Sequence, residues 1–248
     1  MKIKKTASTL FLIAMLCLGA TKAKAQVNAQ LFYDFGSDRE FVTLTLEMFK
    51  QDKWGNTYFF IDHDFNYDQH VKGPNLAPGG TYFEIARCLN FWQNSAIKNL
   101  SLQVEYNGGI TASYPINNAW LVGLDYFIHS KDFKNTLNLK ALYKNIQKKD
   151  SDVPMQFTVV WAMNDLFGVK GLKFDGFADF WWEDHAVDFD ANGSKSTVFI
   201  TEPQLWYNVG QHFGCDNLSL GTEIELSNNF GSTGGFKCRP CLGVKWDF

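Results

Sequence analysis

The last thirteen residues, Phe236 to Phe248, constrain the fold more than any other stretch of this chain. In an extended conformation, Phe236, Cys238, Pro240, Leu242, Val244, Trp246 and Phe248 share one face. The opposite face carries Lys237, Arg239, Cys241, Gly243, Lys245 and Asp247. Side chains alternate across a strand with period two, so this pattern makes one apolar and one mostly polar surface. A strand crossing a bilayer between lipid and a wet interior needs that division, with aromatics near its ends. Half-buried soluble strands alternate as well, but rarely for this long or up to the final residue.

The amino-terminus sets the compartment. Lys2, Lys4 and Lys5 precede an apolar run from about Leu10 to Ala20, and Ala23-Lys24-Ala25 is a small-x-small cleavage site. This is the pattern of a secretory signal peptide, too short to span a membrane. Residues 1–25 are expected to be a cleaved leader and residues 26–248 a single β-barrel domain. Cys17 follows Leu16 rather than a small residue, so no lipid anchor is expected. Loss of the leader removes five lysines and no acid, leaving 18 basic against 26 acidic residues, a net charge of −8. An acidic chain without a basic face argues against nucleic-acid binding. No later run is long and apolar enough for a transmembrane helix. Aromatics make up 16% of the chain, 23 of them Phe. Barrels place such residues in girdles at both membrane interfaces.

Extended segments recur with turn signals between them. Twelve are expected, near 28–35, 40–50, 56–67, 79–90, 98–107, 117–128, 133–145, 154–164, 171–182, 197–209, 217–228 and 236–248. Several alternate cleanly. Leu100, Leu102, Val104 and Tyr106 oppose Ser101, Gln103 and Glu105; Leu218, Leu220, Thr222, Ile224 and Leu226 oppose Ser219, Gly221, Glu223, Glu225 and Ser227. Pro203 and Pro240 each remove a ladder donor and count against regular pairing at those points. If the first strand starts in the periplasm, the longer connections 68–78, 108–116, 146–153, 183–196 and 229–235 fall outside. The short 51–55 and 129–132 fall inside with the middling 91–97, 165–170 and 210–216, an imperfect form of the outer-membrane pattern. The fold class is therefore all-β, a single antiparallel transmembrane barrel of about twelve strands.

The polar phases name the candidate lumen residues. Acids expected to point inward are Glu47, Asp62, Asp64, Glu84, Glu105, Asp125, Asp175, Asp179, Glu202, Glu223 and Glu225. Bases are fewer: Lys140, Lys173, Lys237, Arg239 and Lys245. Tyr58, Phe60, Tyr82, Trp181 and Trp206 supply inward aromatic faces. The solute-binding candidates are Glu47, Tyr58, Phe60, Asp62, Glu84, Glu105, Asp175, Asp179, Trp181, Glu202, Trp206, Glu223, Glu225, Arg239 and Lys245. Rings of this kind stack a flat solute while charged groups bind its edges. The competing reading is a lumen filled by salt-bridged polar side chains.

Other chemistries find little support. Cys238 and Cys241 match C-x-x-C, but residues three apart in a strand face opposite ways and cannot share a metal or close a bridge. A cross-strand disulfide among Cys88, Cys215, Cys238 and Cys241 stays open in an oxidising compartment. Asp188, Asp190, Asn192 and Gly193 match the start of a calcium loop, but Phe199 stands where the bidentate Glu belongs. Asp62, His63 and Asp64 with Asp68 and His70 suggest a divalent site, yet alternation sends His63 to the other face. No metal and no cofactor is expected. His63, His70, His129, His185 and His212 sit in no serine-hydrolase or H-E-x-x-H context, so the chain is not expected to be an enzyme.

Several stretches resemble the Tsx-like superfamily of outer-membrane, nucleoside-specific channel-forming proteins. They are Leu31-Phe32-Tyr33-Asp34-Phe35-Gly36, Leu46-Glu47-Met48-Phe49-Lys50 with Asp52-Lys53-Trp54-Gly55, and Gly176-Phe177-Ala178-Asp179-Phe180-Trp181. Glu202-Pro203-Gln204-Leu205-Trp206-Tyr207-Asn208, Glu223-Ile224-Glu225-Leu226-Ser227-Asn228-Asn229-Phe230 and Lys245-Trp246-Asp247-Phe248 continue the likeness. The resemblance implies a monomeric twelve-stranded barrel in the outer membrane of a Gram-negative bacterium, and members that pass nucleosides. It assigns no binding residue here. The expected function is passive diffusion of a small hydrophilic solute such as a nucleoside. The partners expected are that solute, outer-membrane lipid and, through the strand ending at Phe248, the barrel-assembly machinery. The alternatives are a plugged barrel with enzymatic or adhesive outer loops, and a soluble periplasmic β-barrel binding protein.

Overall fold

A computed structural model describes residues 25–37, 39–65, 78–111, 115–184, 186, 197–231 and 233–248. The expected leader lies outside these residues apart from Ala25, and so do Asp68, His70 and the calcium-like stretch Asp188–Gly193.

Period-two sequences fold here as a meander. The strands are β1 (Ala25–Asp34), β2 (Val42–Asp52), β3 (Gly55–Phe65), β4 (Pro78–Leu89), β5 (Leu100–Ile110), β6 (Pro115–His129) and β7 (Asn135–Ile146). They continue as β8 (Met155–Asn164), β9 (Leu172–Trp182), β10 (Thr197–Thr201), β11 (Gln204–Tyr207), β12 (Leu218–Asn228) and β13 (Phe236–Asp247). Successive strands pair antiparallel, and β13 pairs with both β12 and β1, closing the sheet on itself. Closure leaves no sheet edge with unpaired backbone groups, which a bilayer would penalise. The terminal strand that alternates so cleanly is the seam.

β10 and β11 are two halves of one stave, because both pair with β9 and with β12 in a single continuous register. The barrel therefore has twelve staves. The interruption falls at Glu202-Pro203, where a ladder donor is missing. Gly176 of β9 lies against it, with φ of 149° and room for no side chain: a Cβ there would stand 2.4 Å from the Glu202 carbonyl oxygen. Pro240 is accommodated differently. Its carbonyl accepts from Phe35 N at 2.9 Å just beyond the β1 ladder, which ends at Asp34 opposite Cys241. Its missing N–H falls at that strand end rather than inside the ladder.

The expected and observed strands agree to within a few residues, with one clear difference. The segment 108–116, expected as a loop from Gly108, Gly109 and Pro115, is mostly strand. β5 runs to Ile110 and β6 begins at Pro115, with a register irregularity between Asn107 and Gly109. Gly109 there packs on the Thr81 carbonyl oxygen, where a Cβ would come within 2.3 Å. The glycine serves close strand approach at a bulge rather than a turn.

The start of β1 and the end of β13 lie at the short-turn end, where Phe248 N donates to Val27 O at 2.9 Å. That end also carries the Lys53-Trp54 turn and two 3-10 turns, Leu166–Gly168 and Val209–His212. Aromatics ring it: Trp54, Phe91, Phe133, Phe167 and Phe213 are all exposed. This is an interface girdle by position and residue type.

Candidate functional site: the barrel lumen

Cross-strand register decides which side chains share a face. Glu47 faces Phe60, Phe60 faces Glu84, and Asp62 faces Tyr82 across neighbouring strands. Ala86 pairs with Glu105, Ser101 with Asp125, and Asp125 with Lys140. Lys140 then pairs with Thr158, Thr158 with Asp179, and Gln156 with Trp181. Gln204 bridges Asp175 and Glu223, Trp206 pairs with Lys173, Glu225 with Arg239, and Ser219 with Lys245. Tyr58 shares the Phe60 phase on β3, and Glu202 shares the Gln204 phase. All fifteen candidates thus occupy one face. The opposite face exposes Leu31, Val122, Leu124, Leu220, Leu242 and Val244. A closed barrel with an apolar outer belt and a polar inner face is an outer-membrane protein.

The inner residues fall into two groups. Glu105, Asp125, Trp181, Trp206, Glu225, Arg239 and Lys245 are buried in the wall. Glu47, Tyr58, Phe60, Asp62, Tyr82, Glu84, Asp175, Asp179, Glu202 and Glu223 face the same interior yet keep partial solvent exposure.

The buried group is held by dense pairing. Glu225 receives Arg239 Nη1 at 2.5 Å on one oxygen and Arg39 Nη2 at 2.7 Å on the other. Gln103 Nε2 donates to Glu105 at 2.7 Å, and Asn138 Nδ2 donates to both Asp125 oxygens at 2.8 and 2.9 Å. Trp206 lies against Phe32 with ring centroids 5.5 Å apart, and Lys245 Nζ stands 4.3 Å from its ring. Gly221 and Gly243 make room for that indole: a Cβ on Gly221 would sit 2.4 Å from it.

The exposed group makes fewer bonds, mostly to neighbours along the wall. Thr45 donates to Asp62 at 2.5 Å, Tyr82 Oη to Glu84 at 2.7 Å, and Gln204 Nε2 to Glu223 at 2.5 Å. Thr158 donates to Asp179 at 2.5 Å. Gln30 Nε2 and Asn28 Nδ2 both donate to Glu47, at 2.8 and 3.3 Å. Phe60 stands between Tyr58 and Tyr82, with centroids 6.2 and 6.0 Å away. The interior thus offers carboxylates and ring faces to whatever enters it.

Several inner residues were missed in the sequence. Lys144 shares the phase of Lys140, a signal that alternation could have supplied; it donates to Gln156 at 2.7 Å and stands 3.6 Å over Trp181. Asp34 closes β1 on the inner phase and accepts from Gly36 N at 2.6 Å. Arg39 comes from a connection, where no period applies, and only packing brings it to Glu225.

The cysteines and histidines follow their faces. Cys241 is buried inside and Cys238 is exposed outside, and Cys88, Cys215, Cys238 and Cys241 are all free thiols. His63 sits on the outer phase with Nδ1 2.8 Å from Thr81 Oγ1. Among the described residues no group of three His, Cys, Asp or Glu side chains could hold a metal ion. At the short-turn end, Lys134 Nζ binds Asp165 Oδ2 at 2.6 Å, and that bond with Gly171 N holds the Asp165 carboxyl below its ordinary range.

Among solved structures, the fold is similar to the NanC porin, with a TM-score of 0.54 and 8% identity over 90% of this chain and 100% of that one. The KdgM porin in complex with disordered oligogalacturonate is also similar, with a TM-score of 0.48 and 12% identity over 90% of this chain and 99% of that one. The outer membrane channel DcaP of Acinetobacter baumannii matches with a TM-score of 0.44 and 11% identity over 92% and 99% of the two chains. The 8% identity to the NanC porin speaks to the barrel fold alone. No curated protein matches the sequence. Residues 25–248 match the model described as "Domain of unknown function (DUF5020)", so this β-barrel chain belongs to that family.

Proposed function

We propose that the protein is a channel for passive diffusion of small hydrophilic solutes, neutral or cationic, with nucleosides as the solute class to test first. One observation carries this reading. Ten inward side chains, from Glu47 to Glu223, stay partly solvent-exposed inside a sheet with no gap between its staves. Their exposure must be to an internal space. The acidic excess of that lining raises the local concentration of cations and repels anions. Tyr58, Phe60 and Tyr82 give it ring faces on which a base could stack. The resemblance to Tsx-like channels supplies the nucleoside expectation, and the chemistry of the lining is compatible with it.

In this reading Glu47, Tyr58, Phe60, Asp62, Glu84, Asp175, Asp179, Glu202 and Glu223 contact the solute. Glu105, Trp181, Trp206, Glu225, Arg239 and Lys245 shape the wall behind them. The mature chain begins after the leader, the apolar belt contacts outer-membrane lipid, and the strand ending at Phe248 engages the barrel-assembly machinery.

The test is single-channel current of the refolded barrel in a planar bilayer while adenosine is titrated in. Current reduced at a saturable concentration supports a channel with a nucleoside site. Current indifferent to adenosine leaves a channel for another solute, and no current in a correctly folded barrel overturns the reading.

A further inference from the structure

We propose that the middle of the lumen holds a subsite for a solute that joins a positively charged, hydrogen-bond-donating nitrogen to a flat ring. The inference rests on the channel reading above and names its solute class.

The first observation concerns orphaned acceptors. Asn107 is 5% exposed, and its Oδ1 has no hydrogen-bond partner. The amide orientation is fixed, because Nδ2 donates to Glu84 Oε1 at 3.2 Å and a flipped oxygen would face that carboxylate. Gln30 Oε1 and Asp175 Oδ1 are orphaned in the same way. Gln30 spends its Nε2 on Glu47 and Asn28, and Asp175 pairs with Lys173 through its other oxygen. Among the described residues, every orphaned buried atom on the inner face is an acceptor; the fourth orphan, Trp161 Nε1, belongs to the outer phase. Buried polar groups are almost always partnered, so unfilled acceptors mark a place for a donor.

The second observation is charge. Asn107 faces Glu84 in register, and Glu105 shares its inner phase two residues away on β5. Lys144 is committed to Gln156 and to the Trp181 ring, and Lys140 sits opposite Asp125.

The third is the ring row. Phe60 faces Glu84 in register, and Tyr82 donates to Glu84. A cation bonded to Glu84 and Asn107 would lie beside ring faces that attract it. No metal-binding cluster exists among the described residues, so an organic ammonium fits better than a divalent ion.

Three probes of one size separate the possibilities: benzylammonium, benzyl alcohol and benzoate. Each is titrated into the refolded full chain in a planar bilayer, reading current block, and into detergent-solubilised barrel by calorimetry. Benzylammonium is expected to bind at least tenfold more tightly than benzyl alcohol, with no binding of benzoate. Glu84→Gln and Asn107→Leu should each weaken it at least fivefold. Asn107→Asp should tighten it, and Lys134→Gln at the short-turn end should leave it unchanged. Heat-modifiable gel mobility confirms that each variant is folded. Equal affinity for the three probes, or indifference to the Glu84 and Asn107 variants, overturns the subsite and leaves water as the donor. Conductance without calorimetric binding sinks the subsite and spares the channel; binding without conductance does the reverse.

Discussion

Glu225 is shared by two arginines, one from its strand partner and one from a connection. Arg239 Nη1 reaches one carboxylate oxygen at 2.5 Å, and Arg39 Nη2 reaches the other at 2.7 Å. Arg39 also lies 3.5 Å from Asp34. The carboxylate thus ties the β1–β2 connection to the seam of the barrel. Removing one member of a buried ionic network costs about 3 kcal/mol, because the remaining charges lose their compensation. Glu225→Ala is expected to destabilise the refolded barrel by roughly that amount in urea titration in detergent. A loss below about 0.5 kcal/mol would mean the network is solvated and weak.

That geometry also separates acids buried in the wall from acids exposed to the interior. Glu225 is buried and doubly paired, whereas Glu202 and Glu223 keep partial exposure. Glu202→Gln with Glu223→Gln is therefore expected to lower cation preference without unfolding the barrel. The check is the reversal potential across a salt gradient. An unchanged potential would remove these two groups from the selectivity lining.

Trp206 rests on glycines. Gly243 leaves space for it and for Phe32, and a Cβ there would meet the Phe32 ring at 2.6 Å and the Trp206 ring at 3.0 Å. Gly243→Ala is expected to cost about 1–3 kcal/mol through overpacking. Trp206→Ala, which removes a fully buried indole from the wall, is expected to raise single-channel conductance. Unaltered conductance would place Trp206 away from the narrowest section.

The strands were legible because a bilayer barrel forces alternation on every stave. The seam strand Phe236–Asp247 shows this most clearly, with its outer and inner residues assigned by phase alone. The sequence also marked the break at Pro203, since the missing donor is a local property. The Gly108-Gly109 stretch misled because glycine signals both a turn and a close approach, and only the partner strand decides between them. Arg39 was invisible for a related reason: no periodicity governs a connection. Phase gave the inner face, but it could not divide Glu105 and Glu225 in the wall from Glu84 and Glu223 on the lumen. That division depends on the partners each acid finds among its neighbours: Gln103 bonds Glu105, and Arg239 and Arg39 hold Glu225.

At the short-turn end, Asp165 is bonded to Lys134 Nζ at 2.6 Å and to Gly171 N at 2.9 Å. The Lys134 bond is the larger cause of the lowered carboxyl pKa. A depressed pKa stabilises the folded state above the ordinary carboxylate value of 3.8, and that contribution fades as pH falls through the lower folded value. Asp165→Asn is expected to flatten the pH dependence of thermal stability in that acidic window and to leave it unaltered at neutral pH and above. Equal slopes in the two proteins below pH about 4 would contradict the assignment. The effect is small, since the pair is solvent-facing.

The measurement that tests the central claim most directly is the reversal potential of the refolded protein in a planar bilayer under a KCl gradient. A water-filled lumen lined by Glu47, Asp62, Glu84, Asp179, Glu202 and Glu223 predicts ohmic current with a clear preference for potassium over chloride. Current with chloride preference would contradict the acidic lining, and a folded barrel that passes no ion would contradict the channel itself.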